Sequence, residues 1–426
     1  MKPTTMVMAL VLVCALTLAA FVPLAGARLS TPATPGSAGG ALQGSVASGL
    51  PSIVTQLSPI LVGPLSPIQG VYDSTNGHVY VTDSNSPYFS SLEGVTSING
   101  TNWEKTFPDC AGQYNGPEYA AYDPANNDLY VSCIYPGNVA VVNPSTGAVV
   151  TTVTVGSSPG ALAYDPASRD VYVSNYASNT VSVISSTTNA VVATITAGQA
   201  PSWITYSPAN KDVYVIDSSY PYGITVINGV TNVLVTTIQA QAGSAAYDPA
   251  NQDVYASVTM YVSGTQTPFA YAIGTSNQIV AKIQLSGSSF PAAGYDGSFA
   301  YDTSNSNLFV ATDPGTTGPN VVSEISSSTN SVVATVNIPA YCKGGGCYDI
   351  SYLAYNTANQ DIYVSGPGQY VYIVSSSASL VQTIPLAIIQ SSSTSNFPTA
   401  EVFDPANSEV YVLCSNYAYM IIPLSG

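Results

Sequence analysis

Charge is what this 426-residue chain has least of: seven Lys and Arg, 23 Asp and Glu, and a single His. Charged residues form 7% of the chain, where an ordinary soluble domain has roughly 25%. Each shortage excludes something. The cations Arg28, Lys105, Arg169, Lys211, Lys282 and Lys343 stand singly, so no cluster exists to neutralise a phosphate backbone, and nucleic acid is not an expected partner. The same scatter speaks against docking on an anionic membrane surface. One histidine, His78, supplies neither a metal cluster nor a spare base for a Ser-His pair. No helix follows the N-terminal region, so no glycine-rich phosphate loop opens one. These absences point away from an enzyme, and no cofactor is expected. Intrinsic disorder is excluded from the other side, since 46% of the residues are hydrophobic. The surface has to be built from Ser, Thr, Asn, Gly and Tyr.

The N-terminus carries Lys2, an apolar run from Met6 to Leu24, and the small triplet Ala25-Gly26-Ala27. That is the pattern of a secretory signal over residues 1–27. Left uncleaved, the run is long enough to span a bilayer and would be the chain's one membrane contact. Residues 28–50, rich in Ser, Pro, Ala and Gly, read as a tether to a folded part at 51–426. The expected location is extracellular or at the cell surface, where disulfides persist. Cys342 and Cys347 can close a small ring contributing about 2 kcal/mol. Cys110 with Cys133 is the preferred second pair, which leaves Cys414 odd. Asn99-Gly100-Thr101 is a glycosylation sequon.

One pattern recurs along the rest: an aromatic, Asp or a substitute, a turn rich in Pro, Ala and Asn, then a β-branched-Tyr-Val strand. Its copies begin at Tyr72, Tyr122, Tyr164, Tyr206, Tyr247, Tyr301, Tyr355 and Phe403, 41 to 54 residues apart. Each unit holds four short strand signals, clearest at Ala161–Tyr164, Val171–Asn175, Thr180–Ile184 and Val191–Thr196. Four-stranded units of this period predict an all-β propeller, eight-bladed by the number of copies, with seven blades as the alternative. The eighth unit stops after three strands, while Ile53 to Val62 is a strand without a unit. The N-terminal strand is therefore expected to complete the last blade and close the ring.

Tyr172-Val173-Ser174-Asn175, followed by Thr180-Val181-Ser182-Val183-Ile184 and Val191-Val192-Ala193-Thr194-Ile195-Thr196, closely resembles the YVTN-family propeller repeat. The resemblance covers Pro51 to Gly426. It implies a secreted or surface-layer-like archaeal or bacterial propeller and assigns no reaction, since the family is defined by blade-building residues. The Asn of the strand becomes Asp83, Cys133, Asp217, Val258, Thr312, Gly366 and Cys414 in the other units, which puts any role specific to that Asn in question.

In a meander blade the first-to-second and third-to-fourth turns share one face of the disc, and the second-to-third loops and inter-blade links share the other. Length variation gathers on the second face, at 83–93, 107–119, 258–269, 286–298, 340–352 and 390–399. One-sided insertions mark a contact surface. Binding candidates there are Tyr88, Phe89, Trp103, Tyr114, Trp203 and Tyr261, with Phe290, Tyr295, Tyr341 and Tyr348. The expected function is a non-enzymatic module that binds an extracellular protein or glycan through this face. Two alternatives stay open. One is a lactonase-like hydrolase with a cation at the channel mouth, for which Asp83, Asp217 and Asp313 are the metal candidates; the other is a structural surface-layer subunit that self-associates.

Overall fold

The computed structural model describes residues 54–61, 66–84, 94–99, 102–107, 110, 117–290, 299–313, 318–339, 341–343, 346–348, 350, 352–366, 370–386, 398–414 and 417–423. The signal, the tether and the sequon's Gly100 and Thr101 lie outside them. Every regular element among the described residues is a strand.

These strands form eight four-stranded antiparallel sheets and one two-stranded hairpin. Blade 1 runs from Ser66 to Phe107, blade 2 from Pro117 to Thr154, blade 3 from Pro159 to Thr196 and blade 4 from Pro201 to Ile238. Blade 5 runs from Ala242 to Gln284, blade 6 from Phe299 to Ile338, and blade 7 from Tyr352 to Pro385. Blade 8 combines Pro398–Asp404, Glu409–Cys414 and Tyr417–Pro423 with Val54–Leu61 from the N-terminal side.

Blade 3 shows how sequence makes the unit. Its strands are Pro159–Asp165, Asp170–Asn175, Thr180–Ser185 and Ala190–Thr196. The second strand is buried throughout, because a neighbouring blade covers each of its faces, and so it reads as a continuous apolar run rather than an alternation. The fourth strand lies at the rim, where Val191 and Val192 meet solvent. Asp165 closes the first turn: its Oδ1 accepts the Ala167 amide at 2.7 Å, as Asp123 accepts Ala125 and Asp404 accepts Ala406. The last turn residue adopts a left-handed conformation in every blade, whether it is Gly77, Asn127, Arg169 or Lys211.

Adjacent blades are latched on this turn face. In blades 1 to 5 the buried Tyr of the second strand sends its hydroxyl to the third-to-fourth turn of the next blade, Tyr80 reaching Pro144 O at 3.3 Å. Tyr130 donates to Asn189 Oδ1 at 2.6 Å, Tyr172 to Asn232 Oδ1 at 2.5 Å and Tyr214 to Asn277 Oδ1 at 2.5 Å, and Tyr255 repeats the bond with Asn330. Turn asparagines add a second bond, Asn126 Nδ2 to Ser186 O at 3.1 Å and Asn251 Nδ2 to Ser327 O at 2.9 Å. Blade 6 has Phe309 in the Tyr position, and there Asn305 Nδ2 to Ser376 O at 2.8 Å spans the gap. Each such buried bond contributes about 1 kcal/mol net, and losing one partner costs more than that.

The inner strands of successive blades pack in a cycle that returns from blade 8 to blade 1. The seam is tight: a Cβ on Gly70 would lie 2.6 Å from Val402 Cγ1, so glycine is what allows blade 1 to approach blade 8. Val54–Leu61 pairs antiparallel with Tyr417–Pro423, placing Pro59 opposite Tyr419 and Leu61 opposite Tyr417, as the unpaired strand signal predicts. A circular permutant that joins residue 423 to residue 54 by a short turn and opens the chain at 62–65 is expected to unfold cooperatively near the parent's urea midpoint. Simple deletion of residues 54–61 is expected to lower that midpoint sharply and broaden the transition.

Candidate binding face

The face opposite the latches carries the second-to-third loops and the inter-blade links. Its geometry begins at the last residue of each second strand, the position where the repeat varies. In blade 3, Asn175 Oδ1 accepts the Gly156 amide at 3.1 Å, and its Nδ2 donates to Ser182 Oγ at 2.9 Å. The side chain ties the incoming link to the blade. In blade 4 the tie runs through Thr225, whose Oγ1 accepts the Gly198 amide at 3.2 Å and whose hydroxyl donates to Asp217 Oδ2 at 2.7 Å. In blade 6, Thr312 donates to Ser286 O at 2.6 Å. Blade 7 has Gly366, whose missing side chain is replaced by the Tyr372 ring, 2.1 Å from where a Cβ would stand. Blade 2 makes the tie covalent, as a disulfide joins Cys133 to Cys110 of its incoming link, with a Cα–Cα separation of 5.6 Å. By loop closure a bond across 23 residues contributes about 3 kcal/mol. Cys414 occupies the position in blade 8 as a buried free thiol.

Sequence-predicted site residues separate into groups. Tyr88, Phe89, Tyr114 and Tyr295 lie outside the described residues. Trp103 stands in the strand Asn102–Phe107, and Tyr341 and Tyr348 face each other in a hairpin whose next pair is Cys342 with Cys347; the side chains of that hairpin lie outside the description. Trp203 is a correction. It is buried in the inner strand of blade 4, and its Nε1 donates to Ala245 O of blade 5 at 2.9 Å, so it joins blades instead of meeting a ligand. Phe290 is half-buried against a core cluster with Tyr255, Leu285 and Leu308. Of the described candidates, Tyr261 alone stands out in solvent, at 68% exposure. The segment 258–269 that holds it is no loop: Val254–Val262 and Thr265–Ile273 form a nine-residue hairpin, paired from Val258 with Phe269 to Val262 with Thr265.

Three exposed aromatics were not legible as candidates. Tyr135, Tyr176 and Tyr220, in the second-to-third loops of blades 2, 3 and 4, are 57%, 49% and 84% exposed. With Tyr261 of blade 5 they give four consecutive blades one exposed tyrosine each on the same face. Their common offset, one to three residues past the second strand, was the available signal.

Carboxylates do not assemble here. No group of three His, Cys, Asp or Glu that could hold a metal exists among the described residues. Asp217 is buried with Oδ2 accepting from Thr225 and Oδ1 unbonded, Asp313 pairs through its backbone with Ser289, and the Asp83 side chain is outside the description. The sole histidine, His78, hydrogen-bonds Ser97 Oγ through Nδ1 at 2.9 Å.

No family model matches the chain, and no curated protein sequence does. Solved structures do match. The chain resembles the Dos1 propeller at 10% identity, over 86% of this chain and 95% of that one, with a TM-score of 0.64. It resembles the C-terminal WD40 domain of Sif2 at 12% identity, over 88% of this chain and 100% of that one, with a TM-score of 0.61. The chain is a β-propeller. A Kuenenia stuttgartiensis hydrazine synthase chain is similar at 18% identity, over 77% of this chain and 99% of that one, with a TM-score of 0.53. At these identities the likeness concerns the fold alone.

Burial raises the pKa of several of the propeller's carboxylates. Glu401, in the inner strand of blade 8, accepts the Ser365 hydroxyl at 2.6 Å through Oε1 while Oε2 is hidden without a hydrogen-bond partner, and desolvation pushes its pKa up to about 8. Desolvation likewise raises Glu118 to about 7 and Asp217 to about 6, the latter against the Thr225 bond. Burial, then Asp302, raises Asp361 to about 6. In the unfolded chain these groups titrate near 4. The folded state therefore binds protons more tightly; the resulting stability is complete below about pH 4 and is lost as pH rises through 6 to 8. Urea midpoints are expected to fall steadily between pH 4 and pH 8.5, and Glu401→Gln is expected to flatten the upper part of that fall and raise the midpoint at pH 8.5.

Proposed function

We propose that this propeller is a secreted or cell-surface, non-enzymatic binding module of the YVTN-repeat type, contacting an extracellular protein or glycan through its loop face. The observation that carries the reading is the division of labour between the two faces. Latches from Tyr and Asn bind the turn face blade to blade, and its turns stay short. The opposite face is tied only at the base of each loop, is free to vary, and displays exposed tyrosines on a rigid ring. Rigid aromatics lose little freedom on binding and are apolar on their faces and polar at their tips. Export by the N-terminal signal and the Cys110–Cys133 bond belong to the same oxidising setting. Replacing the hairpin tip 260–266 with a two-residue turn is expected to lower association of the exported protein with its parent cells at least severalfold, measured by fractionation, while the melting temperature stays within about 2 °C.

A second reading, a self-associating layer subunit, rests on the rim. The fourth strands of blades 2, 3 and 4 expose Val149, Val150, Val192, Val233 and Val235 on open edges with no charged residue in them. Natural edges are usually guarded by charge, above all Lys, against pairing with another sheet. Under this reading Val192→Lys with Val235→Lys converts concentration-dependent assemblies to monomer in sedimentation velocity.

A further inference from the structure

We infer that Tyr135, Tyr176, Tyr220 and Tyr261 form a track for a neutral, linear polysaccharide. The inference rests on the binding-face reading and narrows it to one chemistry. Blades 2, 3 and 4 each contribute one exposed ring from the equivalent loop, and the hairpin that takes that loop's place in blade 5 contributes the fourth. Packed sheets lie about 10 Å apart, so the rings are spread over about 30 Å or more of arc. A single sugar meets one ring; an extended chain meets several.

The segments that carry Tyr176, Tyr220 and Tyr261 are tied down. In blade 3 the Tyr176 amide donates to Ser158 O at 2.9 Å and the Ala177 amide to Ser157 O at 3.1 Å, fastening the loop to the incoming link. Blade 4 repeats the pair with Ser218 to Ala200 O and Ser219 to Gln199 O, both at 3.1 Å. The Tyr220 ring is braced edge-on by Tyr222 at 6.4 Å between centroids. Tyr261 stands at the end of the long hairpin, its hydroxyl accepting from Gln266 Nε2 at 3.0 Å.

Charge selects the ligand. The four loops (134–137, 176–179, 218–222 and 259–266) and the links 155–158, 197–200 and 239–241 contain no charged side chain. Between the rings stand hydroxyls and amides, such as Ser157, Ser178, Gln199 and Ser219, which both donate and accept hydrogen bonds. A pyranose matches that alternation, with C–H faces for the rings and hydroxyls for the polar groups. An anionic polymer finds no cation here and is repelled by a chain of formal charge −16. The exposed Arg169 and Lys211 belong to turns of the opposite face, and the exposed Lys282 lies within the outer strand of blade 5, its Nζ 4.9 Å from the Tyr271 ring centroid.

The test is calorimetric titration of the full exported chain with hexamers and disaccharides of β-1,4-glucan, β-1,3-glucan, β-1,4-xylan and β-1,4-mannan, and with polygalacturonate as the anionic control. At least one neutral hexamer is expected to bind, more than tenfold tighter than its disaccharide, because several rings act together. Single Tyr→Ala changes should weaken it roughly three- to tenfold each, and the quadruple change should abolish binding without moving the melting temperature. The quadruple Tyr→Phe variant should retain it, since the ring faces remain. No neutral hexamer bound at millimolar concentration, undiminished binding by the quadruple alanine variant, or polygalacturonate bound equally well would each overturn the inference. Where hexamers fail yet the hairpin-tip replacement still reduces cell association, the binding face stands and its ligand is not a neutral glycan. Where neither responds, both readings fall.

Discussion

No blade of this protein has a face to spare for water, so the whole fold depends on a ring that closes. The second and third strands are buried on both sides only because a neighbour stands on each, and the chain supplies the last neighbour by returning Val54–Leu61 to Tyr417–Pro423. Closure is also what makes the Tyr–Asn latches cooperative. Each latch orients one blade against the next, and the cycle of inner strands leaves none of them an independent choice of angle.

One position illustrates how a repeat tolerates sequence change without changing shape. The end of the second strand has to fill the space beside the link that enters the blade, and the chain does this with an amide at Asn175, a carboxylate at Asp217 acting through Thr225, a hydroxyl at Thr312, a disulfide at Cys133 and a borrowed aromatic ring at Gly366. The requirement is mechanical: fill one volume and hold one strand. Chemistry that meets it is interchangeable, which is why the residue looks unconserved from unit to unit while the backbone repeats.

Repetition made the fold legible, because eight copies in register average out local ambiguity and because a strand signal without a unit at one end matched a unit lacking a strand at the other. The Cys110–Cys133 bond could be read the same way, from the place of Cys133 in its unit. The candidate site was much less legible. Trp203 looks like a loop aromatic in sequence, yet the strand's two-residue period turns its indole into the gap between blades, where Ala245 O receives its N–H. Tyr135, Tyr176 and Tyr220 escaped notice for the opposite reason: in a chain with 31 tyrosines, a ring one to three residues past a strand reads as more of the same. Exposure depends on where the neighbouring link ends, and that is a property of packing.

The strand that shuts the ring is also the first part of the propeller that residues 1–53 reach. A chain held by its N-terminal segment would therefore pass every mechanical load directly into the hydrogen bonds between Val54–Leu61 and Tyr417–Pro423. In a chain anchored that way, the bonds that close the ring would also be the first to bear the load.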